Sequence, residues 1–267
     1  MRGCVPCGVR SDDERAKRAL VFGEVAEQYD RARPTYPPEL VDHVVAAIPD
    51  APNARVLEVG AGTGKATVLF APRVGSLVAL EPDPAMATIA ERHAQSLDDV
   101  SVVVDSFENW VTNLPPFDAI LAAHCWHWVD PRIAYSKARA LIRPEGVLAT
   151  FWNVPDLEQS PLYEAINDAY RAHAPSLEDK TQSTRRSFGD TLSRHTGFRI
   201  AEQREFDWDL EYTASEYIDM LCTHSDHHLL PEAQRDALMR AVAGVIDEAG
   251  GTITLRYETM LVLLAPI

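Results

Sequence analysis

Arg55-Val56-Leu57-Glu58-Val59-Gly60-Ala61-Gly62-Thr63-Gly64 is the stretch on which the fold turns. A short β-branched and apolar run enters a turn holding three glycines, and the residues after it, 65–71, are compatible with a helix. Working outward, Ser76-Leu77-Val78-Ala79-Leu80 is a second run, closed by Glu81 and followed by Pro82-Asp83-Pro84. Asp83 suits a helix N-cap and Pro84 the first helical position, which predicts a helix from 84 to about 93. Residues 100–104 form a third run, ended by Asp105. Residues 117–122 and 146–151 form a fourth and a fifth, with a helix expected over 131–142 between them. Strands alternating with helices predict an α/β chain whose mostly parallel sheet is covered on both faces.

The flanks differ in texture. Residues 12–48 have helical character, interrupted by Arg33-Pro34-Thr35-Tyr36-Pro37-Pro38, where proline stops a helix and fixes an extended turn. Residues 156–195 mix helical stretches with a polar run over 178–187, as an inserted cap would. A sixth strand is expected over 198–206, a helix over 231–249 and a last strand over 252–264. No repeat or low-complexity linker divides the chain. The expected organisation is a flexible tail (1–18), an N-terminal helical lid (19–50), a core (51–155), a cap insertion (156–196) and a C-terminal segment (197–267) that completes the sheet and the acceptor pocket.

The 267 residues carry 25 Lys plus Arg against 40 Asp plus Glu, a net charge of −15. Such a surface repels phosphate backbones and lacks a nucleic-acid footprint, while leaving room for a local basic pocket that holds a small anion. Four cysteines are too few and too scattered for a disulfide framework. Cys4 and Cys7 form a lone C-x-x-C with no second pair at zinc-finger spacing, and are read as part of a tail. No signal peptide or membrane-length apolar run is visible, which predicts a cytoplasmic protein, monomeric or homodimeric, with no membrane partner.

A glycine turn between strand and helix lets a ligand meet backbone and helix N-terminus closely. Both dinucleotide and S-adenosylmethionine folds use one. The dinucleotide fingerprint needs G-x-G-x-x-G, but here Gly60, Gly62 and Gly64 give G-x-G-x-G and Lys65 stands where the third glycine belongs. That departure weighs against an NAD-linked oxidoreductase, which remains the first rival. Glu81, 21 residues after Gly60, is placed to accept from ribose hydroxyls. Asp105 can accept from an exocyclic adenine amine, with Ser106 beside it and Phe107 against the ring. Read singly, Glu81 and Asp105 could each be only a helix cap; read with the loop, they line one site along the carboxyl edge of the sheet.

These residues resemble the class I S-adenosylmethionine-dependent methyltransferases. The resemblance is carried by Val56-Leu57-Glu58-Val59-Gly60-Ala61-Gly62-Thr63-Gly64, Glu81-Pro82-Asp83, Asp105 and Phe117-Asp118-Ala119-Ile120. The stretch from Phe22 to Pro37 and Trp126-His127-Trp128-Val129-Asp130 are similar to a subgroup of trans-aconitate-type, small-molecule enzymes. The resemblance covers roughly 20–153. It implies a Rossmann-like doubly wound sheet of seven strands with helical lid and cap, and S-adenosyl-L-methionine as cofactor. It further implies that Glu58, Gly60, Ala61, Gly62 and Gly64 face the methionine moiety and that Glu81 with Pro82 meets the ribose. Asp105, Ser106 and Phe107 would surround the adenine. The backbone near Ala122, Ala123 and His124 would meet the cofactor's amino group. Tyr29 and Arg33 would come from the lid, Arg33 either pairing the cofactor carboxylate or standing as a solvated charge.

The sulfonium carries its own leaving group, so the protein's task is to align an acceptor and exclude water. A carboxylate acceptor needs no base, whereas a hydroxyl, amine or acidic C–H acceptor can need one. His127 is the candidate catalytic residue, with a structural hydrogen-bonding role as its alternative; Trp126 and Trp128 line a pocket or fill the core. Thr223-His224-Ser225-Asp226-His227-His228 matches no metal-binding spacing and is assigned to the acceptor pocket, so no metal is expected. Arg185 and Arg186 are either an attraction for an anionic acceptor or a solvated pair. The sequence therefore predicts O-, N- or C-methylation of a small molecule. A cofactor-binding accessory protein without transfer activity is the second rival.

Overall fold

The computed structural model describes residues 26–177 and 196–267. The expected tail with Cys4 and Cys7, the first part of the lid, and the polar cap run with Arg185 and Arg186 lie outside the described residues.

The seven strands are β1 (Arg55–Val59), β2 (Ser76–Leu80), β3 (Val100–Val103), β4 (Phe117–Ala123), β5 (Ile142–Asp156), β6 (Phe198–Thr213) and β7 (Thr252–Pro266). They lie in the order β3-β2-β1-β4-β5-β7-β6. β3, β2, β1, β4 and β5 pair in parallel, and β7 inserts antiparallel to both β5 and β6. The order reverses between β1 and β4, and ligands in such sheets bind beyond the carboxyl ends at that crevice.

The central strands read as unbroken apolar runs because both their faces are covered. Val56 packs on one side with Leu40, Val44, Phe70 and Phe151; its neighbour Leu57 packs on the other with Leu80, Ile120, Trp126 and Leu148. This two-sided burial fixes the register, since a shift of one residue exchanges the two faces. A third apolar cluster, including Ile166, Tyr170, Tyr217, Leu221, Leu238 and Ile246, holds the cap and the C-terminal helices together.

The helices are α1 (Ala26–Ala32), α2 (Pro38–Ala47), α3 (Thr67–Phe70), α4 (Pro84–Ala94), α5 (Ala134–Leu141), α6 (Tyr163–His173), α7 (Ala214–Cys222), α8 (Ser225–His228) and α9 (Glu232–Glu248). Asp83 caps α4 as its sequence predicts, its Oδ1 accepting from the N–H of Ala85 at 2.8 Å and of Met86 at 3.1 Å. The helix after the glycine loop is shorter than expected, passing at Ala71 into a 3-10 turn that contains Pro72. β3 stops at Val103, one residue earlier than expected, and Val104 is exposed.

β6 runs seven residues beyond the expected end at Phe206, because Trp208, Leu210 and Tyr212 turn inward while Asp207, Asp209 and Glu211 face water. Charged residues facing water on an edge strand discourage pairing with other chains. α7 starts at a capping box: Thr213 Oγ1 accepts from the Glu216 N–H, and Glu216 Oε2 accepts from the Thr213 N–H at 2.8 Å. No described helix is long and apolar enough to cross a membrane.

α1 bridges the two halves of the cleft. Arg92 on α4 donates to both carboxylate oxygens of Glu27 at 3.0 Å, and His93 meets Asp30 at 2.8 Å. On the other side Gln28 donates to Asp219 on α7 at 2.9 Å.

Candidate active site

The loop after β1 takes its shape from backbone that only glycine adopts without strain. Gly60, Gly62 and Gly64 have φ of +62°, +60° and +86°. At Gly60 a side chain is also excluded by space: an added Cβ would lie 2.7 Å from the Cβ of Cys125. The loop is tied to the end of β2 by two bonds, Ala61 N–H to the Leu80 carbonyl at 2.9 Å and Gly62 N–H to Glu81 Oε2 at 2.7 Å. The other Glu81 oxygen accepts from the Asp83 N–H at 2.9 Å. A carboxylate accepts about four hydrogen bonds, so capacity for two ribose hydroxyls is left. Burial pushes the Glu81 carboxyl up to about 6, against the two N–H groups that favour its charge. Pro82 follows it at the entrance to α4.

Glu58, at the penultimate position of β1, is fully buried. Its Oε2 accepts from Thr67 at 2.6 Å, while Oε1 has no partner among the described residues. Burial first, and the neighbouring Glu81 charge, push its carboxyl up to about 8. An orphaned carboxyl oxygen beside a glycine cradle is what a cationic ligand would satisfy, so this donor set fits S-adenosylmethionine.

Beyond β3, Asp105 is half-buried and its Oδ1 accepts from the Ser106 N–H at 2.8 Å. Phe107 lies in the core: its ring sits 5.7 Å from that of Trp126, and Lys137 Nζ stands 5.4 Å from its centroid. Trp126, 1% exposed, is core as well, whereas Trp128 is half-buried.

At the end of β4, Ala122 is fully buried, and the chain turns at His124, whose φ is +59°. The His124 N–H donates to the Phe151 carbonyl at 2.8 Å. Burial, then the nearby His127 and Arg33, push its imidazole down to about 3, so it is neutral. His127 Nδ1 accepts from the indole N–H of Trp152 at 3.2 Å. Indole nitrogen only donates, so Nδ1 of His127 is the acceptor in this contact and a neutral ring carries its proton on Nε2.

The lid and the C-terminal helices complete the site. Arg33 stacks 5.2 Å from the Tyr29 ring centroid. Its guanidinium donates to Thr223 Oγ1 at 2.7 Å and to the Thr223 carbonyl at 3.1 Å. Among the described residues it pairs with no carboxylate. Its charge bears on His124 and His224, each held neutral chiefly by burial. His227 is clamped, Nδ1 to Asp226 at 2.9 Å and Nε2 to the Tyr170 hydroxyl at 2.7 Å. His224, Asp226 and His227 place ligand-type atoms within 4.8 Å of one another. Both nitrogens of His227 are engaged within the protein, and the Arg33 guanidinium stands close to His224. Thr223 as the anchor of Arg33, and the Tyr170–His227–Asp226 chain, are not legible in sequence because their partners lie 190 and 57 positions away.

Comparison with known proteins bears on the fold and on the central part of the chain. Residues 56–146 match the family model for a methyltransferase domain. An uncharacterized methyltransferase of Mycobacterium tuberculosis H37Rv, Rv3342, is 35% identical over 142 residues, which are 53% of this chain and 56% of that protein. The chain thus spans little more than half the length of that relative. An uncharacterized methyltransferase-like protein of Schizosaccharomyces pombe, C25B8.10, is 26% identical over 243 residues, 87% of this chain and 90% of its own. Among solved structures, a candidate type II methyltransferase from Anaeromyxobacter dehalogenans superposes with a TM-score of 0.64 at 20% identity, covering 88% of this chain and 97% of that one. A SAM-dependent methyltransferase from Thiobacillus denitrificans, in complex with S-adenosyl-L-homocysteine, gives 0.50 at 16% identity, covering 92% and 98%. The fold is the α/β fold of methyltransferases. Over residues 56–146 the chain is similar to a methyltransferase domain, and a neighbour of the same fold is known with S-adenosyl-L-homocysteine bound.

Proposed function

We propose that the chain is a small-molecule methyltransferase dependent on S-adenosyl-L-methionine, and that its acceptor is a carboxylate. The observation that carries the first part is the cradle: three left-handed glycines tied through Gly62 to Glu81, around the orphaned Glu58 oxygen. When bound, the cofactor supplies an activated methyl on sulfur. Glu58 and the loop hold its amino-acid end, Glu81 its ribose and Asp105 its base.

Support for the acceptor class comes from the other side of the cleft. Arg33 is half-buried and, among the described residues, its hydrogen bonds go to Thr223 alone. A guanidinium so placed is a fork for a carboxylate. The imidazoles near it are poor bases: His124 is desolvated, and Nδ1 of His127 already takes an indole N–H. An acceptor that arrives as an anion brings its own lone pair and needs no base. His127, held by Trp152 through Nδ1, then serves to position the acceptor and not as a base.

Calorimetry with S-adenosylhomocysteine and with NADH tests the cofactor, and label transfer from S-adenosylmethionine to small carboxylates, with matched amides and alcohols, tests the acceptor. Binding of the homocysteine derivative and labelling of carboxylates alone are expected. Tighter NADH binding would favour an oxidoreductase, and cofactor binding without turnover on any acceptor an accessory role.

A further inference from the structure

Glu58 is 0% exposed, one of its oxygens is held by the Thr67 hydroxyl, and the other meets no donor among the described residues. Of the titratable groups that feel it, one carboxylate works against a charge on it and two neutral groups offer it no compensation. From the end of β2 comes the carboxylate of Glu81. From the turn after β4 comes Cys125, whose thiol is pushed up chiefly by burial and further by Glu58 and Glu81. From the N-terminal segment comes Tyr36, a buried phenol that also feels Glu58. No cation among them offsets the buried carboxylate. A neutral carboxyl with one unfilled lone pair costs far less in such surroundings than an ion does.

We propose that Glu58 carries a proton in the cofactor-free protein and releases it when the positively charged amino group shared by S-adenosylmethionine and S-adenosylhomocysteine docks, so that ligand uptake and proton release are a single step. The inference rests on the cradle being the S-adenosylmethionine site. The O–H bond of Glu58 breaks, its electron pair stays on the carboxylate facing the positive ligand, and the proton passes to buffer. Affinity then rises with pH, because the proton no longer competes with the ligand. With the free carboxyl near 8, the gain is about tenfold per pH unit between 6 and 7, flattening above 8.

The test is titration calorimetry of the full chain with S-adenosylhomocysteine at pH 6.5, in phosphate and in Tris, whose ionisation enthalpies differ. At that pH the ligand's own amine, with a pKa of about 7.7–8.0, stays protonated. About one proton released per ligand is expected in the wild type, close to none in Glu58→Gln, and most of the wild-type release in Glu81→Gln. Equal heats in the two buffers for the wild type, or undiminished release from Glu58→Gln, overturn the proposal. The wild-type buffer pair decides the matter even if a variant fails to fold. If the wild type does not bind the ligand at all, the cradle assignment falls, and this inference with it; binding without proton release sinks the inference alone.

Discussion

Replacing Glu58 by glutamine should stabilise the cofactor-free protein at alkaline pH and leave it nearly unchanged at acid pH. In the folded chain burial holds this carboxyl near 8, against 4.5 for an unperturbed glutamate. Between those values the native state binds a proton that the unfolded chain has lost, so the slope of stability with pH is negative. The stability contributed by the protonated form is complete below about 4.5 and is lost as pH rises through about 8. Between pH 5 and pH 8 this single group should lower wild-type stability by roughly 3–4 kcal/mol, at about 1.4 kcal/mol per pH unit. Glutamine cannot ionise, and whatever its amide gains or loses beside Thr67 is the same at every pH. Groups common to both proteins, such as Glu81 near 6, cancel in the difference. Urea unfolding followed by tryptophan fluorescence at fixed ionic strength gives the two curves. A difference that widens by about 3–4 kcal/mol bears out the argument; parallel curves would mean that Glu58 is not desolvated and that the orphaned oxygen is solvated or paired.

Gly60→Ala and Gly62→Ala both place a side chain at positive φ, which costs about 1–2 kcal/mol each. Only Gly60 also faces Cys125 at 2.7 Å. Gly60→Ala should therefore be the more damaging by a further 1–3 kcal/mol or so in denaturant unfolding, and equal losses would contradict the close approach. Glu81→Ala removes the acceptor of two backbone N–H groups and, on the proposed function, of the ribose; S-adenosylhomocysteine should bind about 1.5–3 kcal/mol more weakly, with faster amide exchange at Gly62 and Asp83. Unchanged affinity would place the ribose elsewhere. Arg33→Gln should abolish turnover of carboxylate acceptors while shifting S-adenosylhomocysteine affinity by no more than about twofold, or ~0.4 kcal/mol. A tenfold loss of cofactor affinity would assign Arg33 to the cofactor's carboxylate instead.

The central strands and the capped helix α4 are legible in the chain because their determinants are local. Val56, Leu57 and Val59 are apolar for burial on both faces, and Asp83-Pro84 both stops a turn and starts a helix. The strand over 207–213 is harder to see, since alternating Asp207, Asp209 and Glu211 look like loop until β7 lies beside them. α7 is not expected from the sequence, although Thr213 and Glu216, three residues apart, carry a capping-box signal that marks its start. The helix after the glycine loop is overestimated from sequence because Pro72 tightens its end into a 3-10 turn.

Sequence alone determined that this chain builds a parallel α/β core with a glycine cradle, since a positive-φ turn, a buried strand and a helix cap are each written in a few adjacent residues. Only the tertiary structure decided what the polar residues around that cradle do. Arg33 meets Thr223 across 190 positions, His127 accepts at Nδ1 from Trp152, and Glu58 is left facing Glu81. Charge and proton position depend on solvent access and on partners brought together by the fold, and neither is a property of neighbouring letters.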